Sequence, residues 1–511
     1  MDKRETIYVP VIIVLLLTFV LSGKLFAEED MTKPVLELPQ VNIAQPEGYE
    51  QQVFKQQDVF TEKFSASGQN EAGQEESSGF VNVAYGRFDS SIYDVVHSAR
   101  TDKFYYSLQV NINNENGERQ NSDFKISHPK LKLGIPFDAE NELIFKTQYF
   151  NKSMGLPGKM DAPTIDSKTK NSDFKISTQV NHAITDGQLS LEPYYGLSVV
   201  NPNMMRTDFK NNTVGAKMDI EVDENVFNFD LYQERLINYY EQVIFDAKVR
   251  LRPLELNDKW QLVLGTNIFA QEEFGQRPAP FAELIFSDDE NCSHKLKFTR
   301  EFEPLNFSQT YLDANYVEVN PVAMRPRRKS VISYQLDKYI SPEWRANFIA
   351  YIKQDKDIWF FSDVDNDGLY SPTFIEKVNF GGIKLSTEYN WSEAFSNFLS
   401  LNLRRIRSKD TNYEFVPFEP KQKISVGFTY KMDKKFKLDI VGDYFGRRYY
   451  QGNSKQSFSG YFLLNSKLTY ELKDYLTLFV LVDNLLNDHY EIVKGYPNRS
   501  RNTLGGITVK F

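Results

Sequence analysis

Polar and apolar residues alternate along most of the chain with a period of two. Phe104, Tyr106, Leu108, Val110 and Ile112 fall on one face of an extended strand, and Tyr105, Ser107, Gln109, Asn111 and Asn113 on the other. The same spacing sets Val243, Phe245, Ala247, Val249 and Leu251 opposite Asp246, Lys248 and Arg250. Taken alone, that second run also suits a soluble sandwich. The pattern returns at Ile424, Val426, Phe428 and Tyr430, and at Leu478, Val480 and Val482. Polar clusters at 113–117, 363–368 and 402–411 alternate with shorter turns at 433–435 and 471–474. Long loops on one side, short turns on the other, and strands with one oily and one wet face predict an all-β fold. It is a transmembrane antiparallel β-barrel over 79–511, with roughly 20–24 strands and 22 as the expectation.

The N-terminus reads differently. Lys3 and Arg4 precede an apolar run at 8–21, and the chain turns polar at Glu28, as in a secretory signal peptide over 1–27. The run is shorter than the roughly 20 apolar residues of a membrane-crossing helix. No other segment holds 18 consecutive apolar residues, so a chain seated in a membrane crosses it with strands. The stretch 28–78 is rich in Gln, Glu, Ser and Gly and reads as an extended or flexible periplasmic segment. Its one apolar stretch carries Val35, Leu36, Leu38, Val41 and Ile43. These residues suit either docking by addition to an exposed sheet edge or a disordered tether.

Composition sharpens this reading. The 511 residues are 41% hydrophobic with 40 Phe and 29 Tyr, and the mean hydropathy is -0.48. That combination of low hydropathy and many aromatics suits a barrel with a polar lumen and aromatic girdles at both membrane interfaces. Outer-membrane lipids are therefore the expected surroundings. A net charge of -9 without a basic tail offers nucleic acid little to bind. Cys292 is the only cysteine, which excludes an intrachain disulfide scaffold.

The last segment is the most distinctive. Val482, Asp483, Asn484, Leu485, Leu486, Asn487, Asp488, His489 and Tyr490 lead to Gly495, Tyr496, Pro497 and Arg501, then to a strand with Leu504, Ile507, Val509 and terminal Phe511. This stretch resembles the C-terminal signature of TonB-dependent outer-membrane receptors. Gly155, Leu156, Pro157 and Gly158 are similar to an early barrel loop of that family, and Val319, Asn320, Pro321, Arg325, Pro326, Ser330 and Tyr334 to a mid-barrel segment. The resemblance implies roles in barrel closure and assembly for Asn484, Leu485, Tyr496, Pro497, Arg501 and Phe511. The aromatic end is similar to the signal read by the outer-membrane insertion machinery. Family members carry an N-terminal plug of full domain size, and the segment 28–78 is too short for it. The resemblance thus implies a transport-related barrel without the usual plug; either 28–78 partly threads the pore, or a separate protein fills it, or the barrel is narrower, and a periplasmic protein or lipoprotein filling the lumen is the favoured expectation. The alternative is a structural anchor or assembly platform for an outer-membrane complex.

Three further groups carry candidate chemistry. Asp363, Asp365, Asp367 and Gly368 have the alternation of a calcium loop, so Ca²⁺ is the one candidate cofactor. Phe374 occupies the twelfth position, where such a loop needs Glu, and a solvated hairpin loop fits the same residues. Arg404, Arg405 and Arg407, Arg447 and Arg448, and Arg325, Arg327, Arg328 and Lys329 suit a polar lumen, ordinary charged loops or anionic headgroups. His97, His128, His182, His294 and His489 are scattered, and no phosphate loop, His-Glu-x-x-His pair or nucleophile elbow is present. A non-enzymatic protein is expected.

Overall fold

The computed structural model describes residues 76–511, apart from 157–158, 161–162, 165–166, 203–207, 290, 305–306, 308–310, 312–324, 363–370, 434 and 451–454. The expected signal peptide, the segment 28–78 and the five apolar residues between Val35 and Ile43 lie outside them.

One antiparallel sheet of 23 strands runs through the chain. The short strand Leu254–Asn257 pairs only with Trp260–Gln271, above which Tyr240–Arg250 takes over the same edge. Counting those two pieces as one stave leaves 22. The first strand, Glu76–Gly86, pairs antiparallel with the last, Asn502–Lys510, so the sheet closes into a barrel with no free edge. Backbone bonds from Gly79 N–H to Phe511 O (2.8 Å) and from Phe511 N–H to Gly79 O (3.0 Å) finish the seam. The first strand begins three residues before the expected Gly79.

Alternation sorts the side chains as the sequence predicts. Leu108, Phe145, Ile176, Leu191 and Val214 are exposed on the outer wall, while Asn111 and Asn113 are buried inside. At several points in the wall a ring on one strand lies over a glycine on the next, where a side chain would collide with it. A Cβ on Gly134 would sit 2.1 Å from Cζ of Tyr105, and one on Gly506 2.3 Å from Cζ of Phe479.

Connections on the side of the chain ends are short, such as 185–186, 223–224, 342–343 and 474–475, whereas 304–326, 409–421, 446–460 and 484–501 on the other side are long. Short turns mark the periplasmic side and long connections the cell surface. Several periplasmic turns are built on side-chain caps. Asp138 accepts the N–H groups of Glu140 and Asn141, and Asp433 those of Lys435 and Phe436. Those backbone bonds hold both carboxyls below the usual carboxylate range.

The periplasmic border of the outer wall is aromatic. Trp344 and Trp391 both meet Tyr389 edge to face, at 5.9 and 4.7 Å, and Trp260 packs on Phe286 at 4.7 Å. Rings with one apolar and one polar side suit the interface between lipid tail and headgroup. Two segments read as polar loops are partly strand: Tyr105–Glu115 runs through the start of 113–117, and Phe395–Ser408 through most of 402–411. Inward polar residues such as Asn113 and Asn402 look like loop residues when the face they occupy is a wet lumen.

Candidate functional site: the lumen at the cell-surface end

Inward side chains behave differently at the two ends of the barrel. Near the periplasm, Lys132, Glu221, Arg250, Lys431, Lys437 and Glu471 are exposed. Near the cell surface, Glu115, Lys152, Glu234, Lys353, Asp355 and Arg404 are all buried. Charges out of water persist where they are ion-paired or hydrogen-bonded: Glu115 meets Arg499, Lys353 meets Asp355, Arg404 meets Glu419, and Glu234 is held by neutral donors.

Glu234 is fully buried on strand Asn225–Leu236. Its Oε1 accepts the backbone N–H of Phe307 (2.8 Å) and Nδ2 of Asn211 (3.0 Å), while Oε2 accepts Nε2 of Gln242 (2.6 Å) and the hydroxyl of Tyr240 (3.3 Å). Gln242 in turn accepts Nε2 of Gln271 at 2.6 Å. Phe307 belongs to the connection 304–326, so the carboxylate ties that connection to the inner wall. Phe307 and Tyr311 are both 0% exposed, and their rings pack tilted at 40° with centroids 4.9 Å apart.

They join an apolar cluster with Val200, Phe209 and Leu236 from one part of the wall and Ile358, Phe360, Ile375, Val378 and Phe380 from another. Val416 and Phe418 of 409–421 and Phe458 of 446–460 complete it. A lumen lined for water has no use for such a layer. It forms because the long connections fold inward and give the apolar residues each other to pack against.

Beside it lies a ladder of ions. Asp355 accepts Arg327 and Lys353 (2.5 and 2.7 Å), Glu303 meets Lys329 and Arg327 (2.8 and 3.5 Å), and Arg404 pairs with Glu419 (2.6 Å) and Pro420 O (2.6 Å). At Asp357, φ is +55°. The inward face passes there from Lys353 and Asp355 to Ile358 and Phe360, a step of three in place of two. That step exchanges an ionic rung for an apolar one.

The arginine groups thus divide. Arg327, Arg404 and Arg448 are inward and bonded, Arg448 donating to Glu491 O at 2.9 Å. Arg325, Arg405 and Arg407 are exposed, the last two within strand Phe395–Ser408.

The C-terminal residues lie in the last surface connection and at the seam. Asn484 has φ of +48° and is buried. Its N–H donates to Asn465 Oδ1 (2.9 Å), its Nδ2 to Asp488 O (2.9 Å), and its Oδ1 accepts Asp488 N–H (2.9 Å). An amide with both donor and acceptor ends, in the left-handed region, organises this turn. Leu485 N–H donates to Leu464 O (2.6 Å), and Tyr496 and Pro497 form one arm of a small hairpin with Glu491–Val493. Arg501 N–H donates to Asn487 Oδ1 (2.8 Å), and its carbonyl accepts Arg87 (2.9 Å) across the seam. Arg499 pairs with buried Glu115, and Ser500 bonds Glu118 through N–H (2.9 Å) and hydroxyl (2.7 Å), tying the connection back onto the early strands. The ring of Phe511 stacks on His97 at 5.7 Å. Asp363, Asp365 and Asp367 lie outside the described residues, among which no group of acids, His and Cys is arranged to hold a metal.

This is the fold of outer-membrane receptor barrels. Among solved structures, the chain is similar to the copper transporter OprC, with a TM-score of 0.69, 12% identity, and 86% of this chain and 81% of that one covered. It is likewise similar to the siderophore receptor PirA from Acinetobacter baumannii, with a TM-score of 0.68, 11% identity and coverage of 86% and 81%. For the FrpB iron transporter from Neisseria meningitidis the TM-score is 0.67, the identity 11% and the coverage 87% and 82%. The resemblance read from the C-terminal motif therefore holds at the level of fold. No family model and no curated protein matches the sequence.

Proposed function

We propose that this chain is a transport barrel of the outer membrane that works with a separate periplasmic partner. The observation that carries this reading is the asymmetry of the lumen: inward charges are buried at the surface end and exposed at the periplasmic end. A solute path needs a wetted lumen on one side and a controllable constriction on the other. The wet periplasmic half is the one a partner can enter. The matched structures are named as transporters and a receptor, which supports transport and a non-catalytic role. Val35, Leu36, Leu38, Val41 and Ile43 are the proposed docking residues, through strand addition. Asn484, Leu485, Tyr496, Pro497, Arg501 and Phe511 serve closure and assembly in this reading, the aromatic end presenting the strand to the insertion machinery.

Gentle extraction from native membrane tests it. The expected outcome is a stoichiometric second protein that shields Lys132 and Lys437 from an impermeant amine reagent and is lost when 35–43 is deleted. A barrel that purifies alone overturns the partner, and one found inside a large scaffold with a sealed lumen and no solute flux overturns the reading in favour of the anchor role.

A further inference from the structure

The cell-surface border of the outer wall is not uniform. Four adjacent strands, Arg327–Ser341, Trp344–Ser362, Ser371–Asn390 and Phe395–Ser408, carry basic residues on their outward positions. Register places Arg328 beside Lys356 and Lys356 beside Lys377, whose carbonyl accepts the N–H of Lys409 at 2.8 Å. Arg405 and Arg407 lie on the same face of the fourth strand, beside Gly381 and Asn379.

Arg328 is satisfied by Asp357, its Nε donating at 2.8 Å. Lys356, Lys377, Arg405, Arg407 and Lys409 have no carboxylate partner among the described residues, and the nearby acids are Glu376 and Asp410, bonded to each other through the Glu376 N–H at 2.8 Å. Among the described residues, once the Arg328–Asp357 pair is set aside, five cations stand against two carboxylates on the outer border of these four strands.

Directly toward the bilayer from these cations, Ile332, Ile352, Ile383 and Leu399 are exposed on the outer face. Between Ile352 and Arg405 sits Gly381, where an added Cβ would meet nothing within 4 Å, so the wall carries a notch. Elsewhere on this border the cations are more widely spaced: Lys125 and Lys170 flank Ser153, Lys210 stands beside Val199, Arg300 beside Ser330, and Arg235 is paired with Glu241 at 3.6 Å.

Cations left unpaired at the edge of an apolar band are placed for phosphate, which arginine and lysine hold by charge-assisted hydrogen bonds. We propose that the rim formed by Lys356, Lys377, Arg405, Arg407 and Lys409 binds the phosphate groups of a phosphorylated lipid of the outer leaflet. The acyl chains lie along Ile332, Ile352, Ile383 and the Gly381 notch. The site is independent of the lumen and of any partner that fills it.

The test is quantitative binding of a phosphorylated glycolipid to the folded full-length barrel in neutral detergent, by native mass spectrometry. Three proteins are compared: wild type, Arg405→Gln/Arg407→Gln, and the control Lys170→Gln/Lys210→Gln on another part of the wall. A cation near an anionic lipid surface is worth a factor of roughly five, so the arginine pair accounts for about 25-fold weaker binding. The control stays within about twofold of wild type. Heat-modifiable gel migration verifies that each variant is folded. The dephosphorylated lipid binds all three proteins equally weakly, and millimolar inorganic phosphate does not displace the lipid. Equal binding by wild type and the arginine variant overturns the proposal, as does equal loss in the control. Displacement by inorganic phosphate alone shows a simple anion site and overturns the lipid assignment.

Discussion

The two ends of the lumen are built from the same alternation but solve opposite problems. At the periplasmic end, Glu142 accepts Tyr105 (2.7 Å) and Asn181 (2.7 Å) on a half-exposed ladder that water can replace at small cost. At the surface end, Glu234 is out of water and depends on four protein donors, one of them the backbone of a distant connection. Inward-facing polarity alone therefore does not define a channel. What matters is whether the connections fold back over it.

That contrast is breakable by substitution, and the largest effect is expected at Glu234. Glu234→Ala leaves three buried donors, the Phe307 N–H, Asn211 and Gln242, without an acceptor and should destabilise the folded barrel by about 4 kcal/mol, at roughly 1–3 kcal/mol for each. Glu142→Ala should cost about 1 kcal/mol, because water reaches its partners. Urea unfolding in lipid vesicles measures both, and equal losses would remove the distinction between the two ends.

Next comes Phe307→Ala, which opens a cavity in the apolar layer and should cost about 3 kcal/mol by the same measurement. It sharpens the comparison, since the loss comes with greater ion conductance only if this layer narrows the lumen.

The inner and outer walls differ by less. Ile176 faces lipid near the middle of its strand, and Ile176→Lys should cost about 2 kcal/mol. The inward Glu221→Lys, in the exposed periplasmic half of the lumen, should cost less than about 1 kcal/mol. Smallest is Phe511→Ala: the ring is largely exposed and the seam bonds are backbone, so equilibrium stability should fall by less than about 1 kcal/mol. Assembly yield in cells should fall more, and unchanged yield would remove the insertion role of that ring.

The barrel itself was legible in the sequence because a period of two needs only neighbours to be read. Leu108 and Asn111 declare their faces without knowledge of any partner strand. The surface-end lumen was not legible, since its contacts join residues far apart, Glu234 with Phe307 and Glu115 with Arg499, and register alone brings them together. Periodicity also cannot separate an inward Phe269 or Tyr232 from a lipid-facing ring. The shift of face across Asp357 is likewise invisible without the backbone. One signal was present: 304–326 is long for a connection, and Phe307 and Tyr311 are apolar at helical spacing within it. The arginine clusters were visible as groups, but only strand position divides Arg404, inside and paired, from Arg405, outside and unpaired.

The most direct test of the asymmetric lumen is planar-bilayer conductance of the purified barrel, wild type against Phe307→Ala. A narrow wild-type conductance that rises several-fold in the variant agrees with a constriction made by the chain's own surface connections. A wide wild-type pore, unchanged when Phe307 is truncated, contradicts it.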